Sequence, residues 1–303
     1  MRIGTLAADT DGDQTLAKLT DELRRATDDG FASFWMSNIF GLDALTALAV
    51  AGSRVPGIEL GTAVVPTYPR HPAVMAQQAL TTALAVGPDR LALGIGLSHK
   101  LVIEEMYGHS FDKPARHMRE YLSVLLPLLE GSPANVKGEV LSANIGLSTA
   151  RHGQVPVLLA ALAPRMLELA GRQTDGTMLW MTGPATVRDY VVPAISAAAS
   201  AAGRPSPRVV CSLPVCVTSD PDAARESAAK VFAMYGQLPS YRAMLDREGA
   251  AGPGDVAVVG DEDTVATQIQ ALADAGVTDF VAAEFARGQD WERTRGLLKS
   301  LLS

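Results

Sequence analysis

Cysteine is nearly absent from this chain: 303 residues hold only Cys211 and Cys216. Both fall in one apolar run that reads as a strand. Their odd spacing puts them on opposite faces, so they cannot pair within it. Two buried, reduced thiols in a cytoplasmic protein are expected. Aromatics make up 5% of the chain, while glycine is plentiful at 27, a balance that suits a closely packed α/β protein. There is no run of about 18 or more apolar residues, so no membrane span is expected. The first residues, MRIGTLAADT, lack the basic region and long apolar segment of a signal peptide. The net charge of −7 makes nucleic acid an unfavourable partner. No His-x-x-x-His or Cys-x-x-Cys spacing occurs, so no metal site is expected. A Gly-x-Ser-x-Gly elbow is also missing, which argues against a hydrolase.

What the chain does have is alternation. Short apolar runs are predicted as strands at Ile3–Ala8, Ala32–Ser37, Ile58–Val65, Leu91–Ile95, Val155–Ala160, Gly176–Met181, Arg208–Val217 and Asp279–Glu284. Segments with helical spacing lie between them, among them Gln14–Asp28, Ala73–Val86, Lys113–Leu129, Pro184–Ala202 and Thr264–Ala275. Eight strands alternating with helices predict a (β/α)8 TIM barrel, α/β in class, as one domain over residues 1–303. The stretch Gly131–Gln154 breaks the rhythm and is expected to be an insertion, with a small hairpin around Glu139–Ser142.

Residues 61–99 form one complete strand-helix-strand unit. Pro69 and Pro72 punctuate its first turn, Gly87-Pro88-Asp89 stops its helix, and its second strand ends in Gly94-Ile95-Gly96. Both strands are apolar on both faces, as strands of a covered parallel sheet are. A ligand is therefore expected at the C-terminal ends of the strands. A dinucleotide fingerprint is excluded, because the third glycine and the following acidic residue are missing.

These motifs resemble the luciferase-like monooxygenase superfamily of flavin and deazaflavin oxidoreductases. The resemblance rests on Gly61-Thr62-Ala63-Val64-Val65, His71-Pro72-Ala73, Gly87 to Arg90 and Gly94 to Gly96. It continues in Phe111 to Pro114 with Arg116, Met118, Arg119, Glu120 and Tyr121, and in Ala163-Pro164-Arg165-Met166. It ends in Thr174-Asp175-Gly176 and Val259-Gly260-Asp261. It implies a non-proline cis bond between Ala63 and Val64, under a cofactor ring in the barrel mouth. The forms of strand three, the Gly-Pro-Asp-Arg turn and the Ala-Pro-Arg-Met segment point to the branch that uses coenzyme F420, a deazaflavin. The alternatives are an FMN-dependent monooxygenase and a non-catalytic flavin-binding barrel. The implied activity is hydride transfer with a small organic substrate, and the implied assembly is a homodimer through the helices flanking strands two to four.

Candidate residues follow from both lines. His99 corresponds to a glutamate that moves a proton in relatives, and a histidine can do acid/base work near neutral pH. Its bland alternative is a loop histidine bonded to backbone. Asn38 can hydrogen-bond a cofactor heteroatom or cap the next helix. Many relatives carry Asp-His where this chain has Asn38-Ile39. Ala63, Val64, Gly94, Gly96 and Ser98 are expected to border the ring. Ala161, Leu162, Ala163, Arg165 and Met166 are expected at the cofactor phosphate, where a helix start offers free N–H groups and Arg165 a cation. Thr182 is expected at the same mouth, with N-capping as its alternative.

Overall fold

The computed structural model describes residues 1–7 and 14–302. The elements run β1 (Arg2–Leu6), α1 (Leu16–Asp28), β2 (Ser33–Met36), α2 (Ala44–Gly52), β3 (Glu59–Thr62), β4 (Val65–Pro66), α3 (Pro72–Val86), β5 (Leu91–Gly96) and α4 (Pro114–Leu129). A hairpin of β6 (Ala134–Lys137) and β7 (Ser142–Ile145) follows. Then come β8 (Val157–Leu159), α5 (Pro164–Gln173), β9 (Gly176–Trp180), α6 (Pro184–Thr186), α7 (Val192–Ala201), β10 (Arg208–Val217), α8 (Pro221–Val231), α9 (Pro239–Glu248), β11 (Val258–Gly260), α10 (Glu262–Asp274), β12 (Asp279–Glu284) and α11 (Gly288–Ser300).

Parallel pairing runs β1–β2–β3–β5–β8–β9–β10–β12 and returns to β1. The result is a closed eight-stranded (β/α)8 barrel. β4 continues the third wall position against β5, and β11 adds to the C-terminal end of β10. Strand side chains alternate between two cores, as period-two geometry requires. Trp35, Ala92, Leu158, Met178, Val210 and Val281 fill the barrel interior. The larger outer core lies between wall and helices. Trp35 is fully buried and donates its indole N–H to Ser33 Oγ at 2.8 Å. Gly61 has no side chain because its Cβ would run into that indole. Leu23, Leu48 and Leu80 dock α1, α2 and α3 on the outside with almost no surface exposed.

Most strand positions agree with the sequence reading, and the differences have physical reasons. Ala8, the predicted end of the first strand, lies outside the described residues; the strand ends at Leu6. Strand three is divided, because the chain bulges at Ala63-Val64 before pairing resumes. The helix predicted over Pro184–Ala202 contains a wider π turn at Val187–Val191. Pro193 lacks the N–H that the α pattern would use, and the wider turn accommodates the loss. β11 was not anticipated, since three residues are too few to show a period. The expected insertion does form a hairpin. Its tip is fixed to α4 by Glu120, whose carboxylate accepts the amides of Glu139, Val140 and Leu141 at 3.1, 2.8 and 2.9 Å. Cys211 and Cys216 lie on one strand in different clusters, both buried and both free.

Candidate functional site at the barrel mouth

The C-terminal ends of the strands converge on one face. On it, β3 gives way to a cis peptide between Ala63 and Val64. The bulge is held from three sides. Ala63 N donates to Met36 O at 2.8 Å, Thr62 Oγ1 to Gly94 O at 2.8 Å, and Thr67 N to Gly96 O at 2.9 Å. Gly94 and Gly96 are both buried, and the space their Cβ atoms would need is already taken. At Gly94 a Cβ would strike the Thr62 carbonyl and lie 3.0 Å from Val64 Cγ1. At Gly96 it would lie 2.8 Å from Val64 Cγ2 and 3.1 Å from Ala160 Cβ. The Gly-x-Gly of strand five thus seats Val64. Four of the residues expected at the ring, Ala63, Val64, Gly94 and Gly96, are brought into one packed unit, with Ala63 and Val64 half-buried.

Ser98 follows β5 in the left-handed region at φ +60°, and Met181 follows β9 at +53°. Non-glycine residues visit this region at a cost, and it is enriched at functional sites. His99 is half-buried, with its ring 5.5 Å from that of Tyr241. Burial lowers its pKa from the ordinary histidine value, so the neutral ring is favoured at pH 7. Asn38 spends its carbonyl oxygen on the amide of Ala44, 2.9 Å away at the start of α2. The N-cap of α2 itself is Asp43, which accepts Thr46 N, so Asn38 supports the helix start from upstream of the cap.

Two helix starts face this mouth differently. α5 begins at Pro164 with no side-chain cap from Ala163. Arg165 is exposed beside it, with no hydrogen bond or ion pair among the described residues. Ala161 and Met166 are buried beneath, Leu162 is half-buried, and the Leu162 carbonyl accepts the Tyr190 hydroxyl at 2.9 Å. α6 is occupied instead: Glu248 of α9 accepts the amides of Ala185 and Thr186 at 3.1 and 2.7 Å. Thr182 is fully buried, and its hydroxyl turns back to Trp180 O at 3.2 Å.

Sequence reasoning missed Trp180 and Ser212. They are register partners on β9 and β10; both carry buried polar atoms, Ser212 Oγ without a partner among the described residues and Trp180 Nε1 close to the Tyr235 hydroxyl. Over them lies an aromatic group from the end of α8 to the first turn of α9. Phe232 and Tyr235 meet the Trp180 ring edge-on at 5.6 and 5.7 Å, and Tyr235 meets Tyr241 at 5.2 Å. Three aromatics within residues 232–241 of an aromatic-poor chain was the available signal. Ile39 and Phe40 after β2, Leu101 and Met106 in the short helical segment after β5, and Met234 in a short helical turn after α8 are exposed apolar residues of the segments that follow the strands. Among the described residues no cluster of three or more His, Cys, Asp or Glu is placed to hold a metal.

A family model described as luciferase-like monooxygenase matches residues 1–279. The chain belongs to the luciferase-like monooxygenase family. The 5,10-methylenetetrahydromethanopterin reductase of Methanolobus tindarius is 26% identical, over 88% of this chain and 89% of that protein. A solved F420-dependent secondary alcohol dehydrogenase, in complex with an F420-acetone adduct, superposes with a TM-score of 0.84 at 19% identity, covering 99% of this chain and 97% of the other. The oxygenating constituent of 3,6-diketocamphane monooxygenase from Pseudomonas putida, in complex with FMN, superposes with a TM-score of 0.80 at 15% identity, covering 100% and 97%. In this luciferase-like barrel the packed unit of Ala63, Val64, Gly94 and Gly96 forms one wall of the mouth.

Proposed function

We propose that this chain is a coenzyme F420-dependent oxidoreductase that transfers hydride between the cofactor's C5 and a small organic substrate. The observation that carries the reading is the pairing of donor sets at one mouth. The uncapped start of α5, with the unpaired Arg165, suits a phosphate. Nearby, Ser212 Oγ lacks a partner among the described residues, as a polar group that a heteroatom could complete does. The reading draws further support from the reductase relative, which matches along nearly its whole length.

Bound F420 supplies a ring carbon that gives or accepts hydride, while the protein supplies orientation and electrostatics. Arg165, through its guanidinium and its own backbone amide, would hold the anionic arm, since Pro164 has no N–H and Met166 N donates to Ala163 O at 2.9 Å. Val64, braced by Gly94 and Gly96, would offer the ring a rigid apolar edge. His99, kept neutral by burial, takes a proton from a substrate hydroxyl or returns one to a carbonyl oxygen. The aromatic group around Trp180 and Tyr241 excludes water and favours a weakly polar substrate. The same reading makes the protein a cytoplasmic homodimer, with the exposed Val74 and Leu84 of α3 at the contact; light scattering tests it.

FMN is the second reading, because a neighbour that superposes with a TM-score of 0.80 is in complex with it. Titration of the purified protein with each cofactor, followed by absorbance, separates the two. Tighter F420 binding is expected. Tighter FMN binding, or FMN copurifying in stoichiometric amount, would overturn the assignment, and binding of neither would favour a non-catalytic barrel.

A further inference from the structure

Several polar groups at the mouth are already spent or closed off. Asn38 is bonded to Ala44, Thr182 to the Trp180 carbonyl and Glu248 to the start of α6, while Ser212 Oγ is sealed from solvent. His99 and Tyr241 differ. Their rings lie against each other, with centroids 5.5 Å apart and planes at 54°. Neither imidazole nitrogen nor the Tyr241 hydroxyl has a hydrogen bond or ion pair among the described residues, and none of the three atoms is sealed from solvent. Both side chains are nonetheless half-buried. Both are anchored through the backbone: His99 O accepts Ile103 N at 2.9 Å, and Tyr241 N donates to Leu238 O at 3.0 Å in the first turn of α9. Tyr235 packs edge-on against the Tyr241 ring at 5.2 Å.

A few fixed polar atoms among apolar rings are what orients a small molecule in a pocket. The chemistry of the oxygen that fits these two can be read from them. Burial alone holds His99 below its ordinary pKa, with no charged group acting on it, and burial keeps the Tyr241 phenol protonated. The pair is therefore neutral at pH 7. One ring nitrogen accepts, the other donates, and the phenol donates. An alcohol matches this set: its O–H is given to the accepting nitrogen, and a lone pair takes the Tyr241 O–H. A carbonyl matches it too, taking the Tyr241 O–H and the imidazole N–H on its two lone pairs. A carboxylate would lose its hydration with no cation to offset the cost.

We propose that the Tyr241 hydroxyl and the His99 ring together hold the alcohol or carbonyl oxygen of an uncharged substrate, with Tyr241 as the second hydrogen-bond donor of the reaction. This rests on the hydride-transfer reading above. In the oxidising direction the substrate C–H bond breaks with its electron pair passing to the deazaflavin carbon. The O–H bond breaks with its proton passing to His99, and the C=O bond forms. Tyr241 donates to that oxygen throughout and keeps its own proton. The test follows the His99 ring signals by NMR, assigned through His99→Asn, as cyclohexanone or cyclohexanecarboxylate is added with and without oxidised F420. A ketone and the oxidised cofactor cannot react, so binding alone is read. A saturable shift is expected with the ketone and none with the carboxylate. Tyr241→Phe should weaken the ketone about fivefold, as loss of one hydrogen bond between neutral groups does. Its melting temperature and the His99 pKa should match wild type, since ring packing is kept and no internal bond is lost. The proposal is overturned by no saturable shift, by an equal response to the carboxylate, or by wild-type ketone affinity in Tyr241→Phe. A lower melting temperature would show a hydroxyl partnered inside the protein, and a raised His99 pKa would make Tyr241 only a cover over the ring; either refutes it. The cofactor reading fails separately: no F420 binding beside an intact ketone response strikes the deazaflavin and leaves the pair, whereas F420 binding without a ketone response strikes the pair alone.

Discussion

Replacing Gly94 by alanine tests how the mouth is built. The added Cβ would strike the carbonyl oxygen of Thr62 and lie 3.0 Å from Val64 Cγ1, where ordinary contact begins at 3.4 Å. Backbone cannot swing aside as a side chain can, and the Thr62 hydroxyl is itself tied to Gly94 O. Overpacking costs about 1–3 kcal/mol, and a clash with backbone belongs at the upper end. At about 3 kcal/mol the melting temperature should fall by roughly 6–12 °C. Gly96→Ala is the graded comparison. Its Cβ would meet only side-chain carbons, at 2.8 and 3.1 Å, so retreats of a few tenths of an ångström suffice. Alanine also recovers about 0.5–1 kcal/mol of backbone entropy, leaving a net cost of about 1 kcal/mol or less. Gly296→Ala, inside α11 with nothing within 4 Å, should stabilise slightly. Thermal unfolding followed by circular dichroism, at one protein concentration and scan rate, orders the three. Cofactor titration should show both mouth variants weakened, because both displace Val64. A Gly94→Ala protein melting within about 2 °C of wild type would refute the argument that these glycines make room for the bulge.

Arg165→Ala should weaken cofactor binding by about 1.5–3 kcal/mol through one lost charge-assisted contact, with melting unchanged because the side chain is exposed; an unchanged dissociation constant would return Arg165 to solvent. His99→Asn and His99→Ala should each cut turnover about a hundredfold or more while cofactor binding survives. The wild-type pH profile should show a limb below the ordinary imidazole pKa, as burial dictates, and a fully active Asn variant would remove His99 from the chemistry. His117 should titrate near 4 in an NMR experiment, against 6.5 in the unfolded chain. With the folded-state pKa depressed, its contribution to stability is complete above about 6.5 and is lost as pH falls towards about 4, roughly 3 kcal/mol in all. His117→Phe, which cannot titrate, should flatten that slope in acid denaturation, and an unchanged slope would assign it to other groups.

The barrel was legible in the sequence because its signals are local. Strand runs, helical spacing and stop signals such as Gly87 (φ +105°) act within a few residues of themselves. They lead to eight strands alternating with helices around a closed wall, and to the expectation of a ligand at the strands' C-terminal ends. Motif order gave the family and the place of the peptide at Ala63-Val64. Which partner each polar group takes was decided only by closure of the barrel. Val64 fills the space beside Gly94 and Gly96 because β4 pairs with β5. Asn38 gives its oxygen to Ala44 because the turn before α2 folds back on itself. Glu248 reaches the start of α6 across 62 and 63 residues of chain, and Trp180 meets Ser212 only through strand register. Burial and hydrogen bonding at the mouth depend on contacts between distant segments, and no local periodicity encodes which of them meet.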